Sequence, residues 1–256
     1  MKLLRLRFVF LCCVLVNTAS SQISLFSAGR YADGKGDTLN YRFLTPDYDT
    51  FRKYPLVIFL HGSGERGNDN VAQLKWGVMN FSTDQNMKLH PSFVIAPQCP
   101  ANQDWASFLK DKEHPGISLA PFPSKPMELL ISLIYETIKK FPIDTNRIYI
   151  TGLSMGGFGT FDAIERYPDL FAAAVPVCGG GDISRATSIK NIPLWIFHGA
   201  EDPAVDPDLS FKMVEALINT GAHPGYTQYP GVGHFSWIAA YSDPLMIEWL
   251  FRQYKK

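Results

Sequence analysis

Three residues able to build an activated oxygen nucleophile occur in order along the second half of the chain: Ser154, Asp202 and His234. Ser154 sits in Gly152-Leu153-Ser154-Met155-Gly156-Gly157, after the apolar run RIYIT at 147–151 and before a helical pattern that starts at Phe158. A Gly-x-Ser-x-Gly turn between a strand and a helix is so tight that side chains at its glycines would strike neighbouring backbone, and it lifts the serine hydroxyl to a helix N-terminus. A hydroxyl attacks poorly at its ordinary pKa, so a base must lie within reach. His234, ending the loop Pro230-Gly231-Val232-Gly233, would take the serine proton and later return it to a leaving group. Asp202, just past the strand PLWIF at 193–197, would fix the imidazole tautomer and stabilise its charged form. Glu201 and Asp206 are rival acids; alternation points Glu201 to the other side of the chain, and Asp206 lies further from the strand end. His61 and His198 precede glycines at strand ends and read as structural, while His90, His114 and His223 sit beside prolines in polar loops.

Acyl transfer through a serine also needs two backbone donors for the developing oxyanion. Met155, the residue after the nucleophile, is one; the loop His61–Gly67, after the strand PLVIFL at 55–60, holds the other, with Ser63 preferred and Gly64 next. That loop also spells Gly-x-Gly-x-x-Gly at 62–67, the pattern of a dinucleotide site. Its context argues against one. The acid wanted about 20 residues later is Asp84, in a polar stretch rather than at a strand end, and Glu65 would face the pyrophosphate. No Cys-x-x-Cys or His-Glu-x-x-His spacing occurs, so neither a cofactor nor a metal is expected.

The elements that must position these residues alternate. A half-exposed strand is predicted at 38–44, buried strands at 55–60, 93–96, 147–151, 172–177 and 193–197, and a short strand at 226–229. Helices are predicted at 127–140, 158–167, 208–220 and 244–254. Strand and helix in turn imply an α/β fold with a mostly parallel sheet and helices on both faces. The stretch 100–125 has no clear period and reads as a rim segment.

The 256 residues are 46% hydrophobic and 19% charged, which suits one domain with a large core and excludes a disordered or collagen-like chain. No apolar run reaches the length of a spanning helix, so no stable membrane anchor is expected. Residues 1–21 read as a secretory signal peptide: Lys2, Arg5 and Arg7, then nine apolar residues from Phe8 to Val16, then Ala19-Ser20-Ser21. The catalytic domain would then be 22–256, secreted or periplasmic. The leader takes three of the 24 basic residues and none of the 24 acidic ones, leaving 21 against 24, a net −3. With no basic cluster, a nucleic-acid partner is not expected. Cys12 and Cys13 leave with the leader, and Cys99 and Cys178 remain.

On these residues the chain resembles the α/β-hydrolase superfamily, and within it the small secreted esterases related to polyhydroxybutyrate depolymerases, phospholipase/carboxylesterases, and feruloyl and acetyl-xylan esterases. The resemblance runs from about Leu39 to the C-terminus and rests on KYPLVIFLHGSGERGNDN at 53–70, APQCP at 96–100, TGLSMGGFGT at 151–160, VPVCGGGD at 175–182, IFHGAEDPAV at 196–205 and YPGVGHFSW at 229–237. It implies Ser154, Asp202 and His234 as triad and Ser63 and Met155 as oxyanion pair. Related sequences often read His-Asp-Ser-Trp where this one has His234-Phe235-Ser236-Trp237. It further implies a cofactor-free serine hydrolase of carboxylic esters, with small-molecule or polysaccharide-linked esters, above all feruloyl or acetyl side groups of plant polysaccharides, as substrates. The alternatives are a peptidase of the prolyl-oligopeptidase-like type, without that group's propeller domain, and a non-catalytic binding protein on the same scaffold.

Many members insert a cap between the strands matching 172–177 and 193–197. Only the 14 residues 178–191 and Ile192 separate them here, too few for one. An open site is therefore expected, bordered by 100–125, with Gln98, Trp105 and Trp237 as substrate-binding residues near its mouth. The family's strand order puts two strands between those preceding Cys99 and Cys178. At ~4.8 Å per strand the two would stand roughly 14 Å apart, so two free thiols are expected.

Overall fold

The computed structural model describes residues 23–109 and 116–255. The expected leader, His114 and residues 110–115 of the rim segment lie outside the described residues. Eight strands form one sheet: β1 (Phe26–Ala32), β2 (Thr38–Leu44), β3 (Tyr54–Leu60), β4 (Phe93–Gln98), β5 (Ile143–Leu153), β6 (Ala173–Val177), β7 (Trp195–Gly199) and β8 (Gly225–Tyr229). Their order is β1-β2-β4-β3-β5-β6-β7-β8. The β1–β2 and β2–β4 pairs are antiparallel and the rest parallel. The helices are α1 (Asp84–Leu89), α2 (Lys125–Lys140), α3 (Met155–Arg166), α4 (Ala186–Ile189), α5 (Pro207–Asn219), α6 (Trp237–Ser242) and α7 (Pro244–Phe251).

The apolar runs are continuous because both faces of the central strands are covered. Along β3, Leu56, Ile58 and Leu60 enter a core layer with Met127, Leu130 and Ile134 of α2 and Phe161 and Ile164 of α3. Val57 and Phe59 point the other way, into a layer with Phe81, Trp237, Tyr241 and Leu250. Helix α2 starts where Ser124 accepts a hydrogen bond from the Met127 amide, with Pro126 in its first turn and Lys139 and Lys140 in its last. Between β6 and β7 lie only the 183–185 turn and α4, and no cap domain. Cys99 and Cys178 are both free and buried, with β3 and β5 between their strands.

Several elements differ from the sequence expectation: helices α4 and α6 were not expected, α3 starts at Met155 rather than Phe158, and α7 ends at Phe251 rather than Tyr254. Strand β1 carries no apolar alternation because it is an outer strand with only Phe26 buried. Strand β5 begins at Ile143 rather than Arg147, its first turn of chain being polar and partly exposed but paired to Tyr54. Helix α1 buries no residue and is held at its start by the Thr83 side chain, which accepts from the Asn86 amide, so it leaves no hydrophobic period.

The described parts of the rim segment, 100–109 and 116–125, are tied to α3 and the loop after β6. Phe108 and Leu119 face each other in an antiparallel bridge. Asp162 accepts from the Ser107 amide at 3.0 Å and Asp182 from the Leu119 amide at 3.0 Å, while Arg166 donates to Ser107 O. Next to these contacts Glu165 is buried; its Oε1 accepts from the Asp182 amide, and its Oε2 has no hydrogen-bond partner among the described residues. Burial raises the Glu165 pKa well above its ordinary value; the Asp182 amide opposes this, and the Asp182 and Asp162 charges add to it. The folded state thus binds a proton that the unfolded state releases near pH 4.3. Stability is fully present below that pH and falls as pH rises toward the folded pKa, with a limiting slope of about 1.4 kcal/mol per pH unit. Glu165→Gln, uncharged throughout, should lose less Tm between pH 5 and pH 8 than the wild type, read by calorimetry at both pH values.

Candidate active site

Strand β5 ends at Leu153 and α3 starts at Met155, so Ser154 is the whole turn between them. It has φ 54° and ψ −118°, a left-handed geometry that only glycine adopts without strain. The turn is closed by contacts that leave no room for side chains. A Cβ at Gly156 would lie 2.0 Å from Leu60 O, one at Gly152 2.4 Å from Gly156 O, and one at Gly157 2.4 Å from Val177 O. The Ser154 amide donates to Val177 O at 2.9 Å, tying the turn to β6.

The three side chains singled out by type and order meet at the carboxyl ends of the strands. Ser154 Oγ lies 2.9 Å from His234 Nε2, and His234 Nδ1 lies 2.7 Å from Asp202 Oδ2. The other oxygen of Asp202 accepts from the Ala204 and Val205 amides, each at 2.9 Å. Burial pushes the Asp202 carboxyl up, but the hydrogen bond from His234 and those two amides outweigh it and hold the pKa below its ordinary value. Asp202 is therefore ionised at neutral pH, and the proton between the two groups belongs to His234 Nδ1. That leaves Nε2 as the atom facing Ser154. Glu201 is exposed, and Asp206 is spent capping α5 through the Asp208 amide.

His198 does more than a structural reading of the sequence foresaw. Its Nε2 lies 3.3 Å from Asp202 Oδ2 and 3.1 Å from Val205 O, and its Nδ1 lies 2.7 Å from Ser210 Oγ. Burial lowers its pKa, so the ring is neutral and stands against the same oxygen of Asp202 that meets His234. Cys178, at φ 42°, backs the group, with its sulfur within 4.8 Å of Asp202 and His234 ligand atoms; burial pushes its thiol up to about 12, so it stays protonated.

The loop after β3 runs beside the turn. A Cβ at Gly62 would meet Leu153 Cδ1 at 2.8 Å, and Ser63 opens a short helical turn that continues to Glu65. Met155 is the first residue of α3, where an amide has no acceptor within the helix. Met155 thus directly follows Ser154, and the loop that carries Ser63 adjoins the strand end that precedes it.

Gln98 and Trp105 do not reach the mouth. Gln98 is 1% exposed, accepting from the Asn70 amide and donating to Glu65 O and Asp69, so it holds the 65–70 loop in place. Trp105 is fully buried, its indole N–H given to His61 O at 3.2 Å. Gln98 closes β4 and Trp105 lies in the segment after it, but packing turns both side chains inward. Trp237 is buried too, yet its ring stands 5.1 Å from His234, edge to face, and braces the imidazole. The surfaces that do line the site are others. A cleft of about 440 Å³ beside Ser154 is walled by Met155, Phe158 and the rim residues Ala106 and Phe108, with Arg66 and Asp104 on its edge. On the His234 side stand Phe235, 56% exposed, and the half-buried Trp76. The sequence reading missed all three: Phe158 carried a usable signal, since four residues from Ser154 is one helical turn, while Trp76 and Phe108, on loops, carry none.

Similarity to known proteins agrees with this architecture. A solved structure described as a thermostable esterase superposes with a TM-score of 0.84 at 43% identity, covering 91% of this chain and 64% of that one. A bifunctional acetylxylan esterase/xylanase of Neocallimastix patriciarum is 27% identical over 95 residues, 37% of this chain and 14% of that protein. Poly(3-hydroxyalkanoate) depolymerase C of Paucimonas lemoignei is 24% identical over 262 residues, 90% of this chain and 59% of that protein. The chain thus spans less than two thirds of each of these relatives. The phospholipase/carboxylesterase family model matches residues 50–243, and with the strand order and the serine turn described above, the chain belongs to that family of α/β-hydrolases.

Proposed function

We propose that the protein is a secreted serine esterase that cleaves carboxylic esters through an acyl-enzyme, acting on ester side groups of plant polysaccharides. The observation that carries the reading is the unbroken contact from Ser154 Oγ to His234 Nε2 at 2.9 Å and from His234 Nδ1 to Asp202 at 2.7 Å. Ser154 attacks the ester carbonyl and its proton passes to His234 Nε2, while Asp202 stabilises the imidazolium. The carbonyl oxygen, now an anion, takes the Ser63 and Met155 amides. On collapse His234 gives the proton to the leaving alcohol. Water then attacks the acyl-serine, with His234 again as base, and releases the acid. The polysaccharide side of the reading is supported by the acetylxylan esterase relative and by the uncapped, open approach to Ser154. Secretion is supported by the leader pattern in residues 1–21.

A fluorophosphonate probe should label the protein at Ser154, located by mass spectrometry of the tryptic peptide. The labelled protein should have lost turnover of p-nitrophenyl acetate and methyl ferulate. A protein that cleaves a dipeptide anilide and neither ester is a peptidase, and one that the probe does not label has no serine nucleophile.

A further inference from the structure

We infer that the cleft beside Ser154 is the acyl subsite, that it selects a flat aromatic acyl group bearing polar substituents over acetyl, and that the alcohol half of the ester rests on the opposite, open ledge of Trp76 and Phe235. The inference rests on the serine-esterase reading above and deepens it.

The directions follow from the chemistry. The carbon attacked by Ser154 becomes tetrahedral, with one bond to Oγ and one oxygen held by the Ser63 and Met155 amides. The leaving oxygen must meet the proton on His234 Nε2, so the alcohol departs on the histidine side. One direction remains for the acyl chain. The cleft is lined by Ser154, Met155 and Phe158 and by none of His234, Phe235 or Trp76. It therefore occupies the remaining direction.

Its shape and chemistry set the acyl class. At about 440 Å³ it falls in the range of pockets that enclose a small organic molecule. An acetyl methyl would touch only the wall nearest Ser154 and leave the rest to water. Phe108 and Phe158 stand edge to face at 6.1 Å, presenting the apolar surface that an aromatic ring packs against. Along the edge, Arg66 gives Nε to Gln103 O at 2.6 Å and one terminal nitrogen to Asp104, which leaves further N–H donors of its guanidinium for ring hydroxyl or methoxy oxygens. A saturated chain would gain nothing from that charged edge. On the other side Phe235 and Trp76 stand 6.1 Å apart around the ring of Trp237. They make a shallow aromatic surface suited to sugar rings, which stay largely solvated.

The test compares p-nitrophenyl acetate, octanoate and ferulate, esters of one alcohol, and then methyl ferulate against a feruloylated arabinoxylo-oligosaccharide, esters of one acid. The wild type should show a kcat/KM for ferulate at least tenfold above those for acetate and octanoate. Phe108→Ala should lower the ferulate-to-acetate ratio at least fivefold, and Phe108→Leu, which keeps bulk but not the ring, should lower it too. Phe235→Ala should lower the oligosaccharide-to-methyl ratio and not the acyl ratio. A wild-type preference for acetate or octanoate overturns the inference, as does an acyl ratio that follows Phe235 rather than Phe108. Either result with turnover still dependent on Ser154 removes only this inference. Turnover that survives Ser154→Ala removes the serine-esterase reading itself.

Discussion

Ser154→Ala should lose about ten-thousand-fold or more in kcat on p-nitrophenyl acetate while folding like the wild type. Removing Oγ takes away the atom placed 2.9 Å from His234 Nε2. The surrounding cage stays, because the turn is held by the Ser154 amide on Val177 O and by the glycine contacts, none of which uses the hydroxyl. The residue also stores strain. At φ 54° a serine or alanine side chain is disfavoured by roughly 1–2 kcal/mol. Ser154→Gly should therefore be as inactive as Ser154→Ala and yet more stable, by about 1 kcal/mol in chemical denaturation. If Ser154→Ala retained wild-type turnover, the proposed mechanism would be wrong; if Ser154→Gly were no more stable, the turn would carry no strain.

Gly156→Ala should be the most damaging single-methyl change in the site. Its Cβ would lie 2.0 Å from Leu60 O and 2.9 Å from His61 O, both backbone atoms of the strand end and loop that border the serine turn. No rotamer can relieve a backbone clash, so α3 must move off β3. That costs about 3 kcal/mol or more and lowers Tm by on the order of 10 °C. The same displacement separates the Ser63 and Met155 amides, so the protein that remains folded should show a lower kcat with little change in KM. A variant with wild-type Tm and kcat would show that the approach of α3 to β3 is not tight. Gly64→Ala, where a Cβ meets nothing within 4 Å, serves as the control for stability.

The features legible in the sequence are those decided within a few residues. The serine turn could be read because its glycines answer a steric demand set by immediate neighbours, and the strand-turn-helix order around 147–166 confirmed the context. The central strands were legible because burial on both faces leaves unbroken apolar runs. Asp202 could be preferred over Glu201 from strand alternation alone, and the structure places Glu201 in solvent. Strand β1 and helix α1 were not legible, since an outer strand with one buried residue and a short helix with none have no hydrophobic period.

The site's surroundings were read less well. Gln98 and Trp105 lie where chain position suggests a substrate mouth, but one is consumed by the 65–70 loop and the other by His61 O. His198 looked structural and turns out to touch Asp202. Phe108 becomes a wall of the cleft only because Asp162, Arg166 and Asp182 tie its segment to α3 and the loop after β6. The serine turn and the alternating layers could be read from the residues themselves, because local sterics and burial period set these. Only the tertiary structure decided which loop side chains reach the cleft and which are spent on packing. Those directions depend on hydrogen bonds and contacts between segments 30 to 80 residues apart, and no local pattern encodes them.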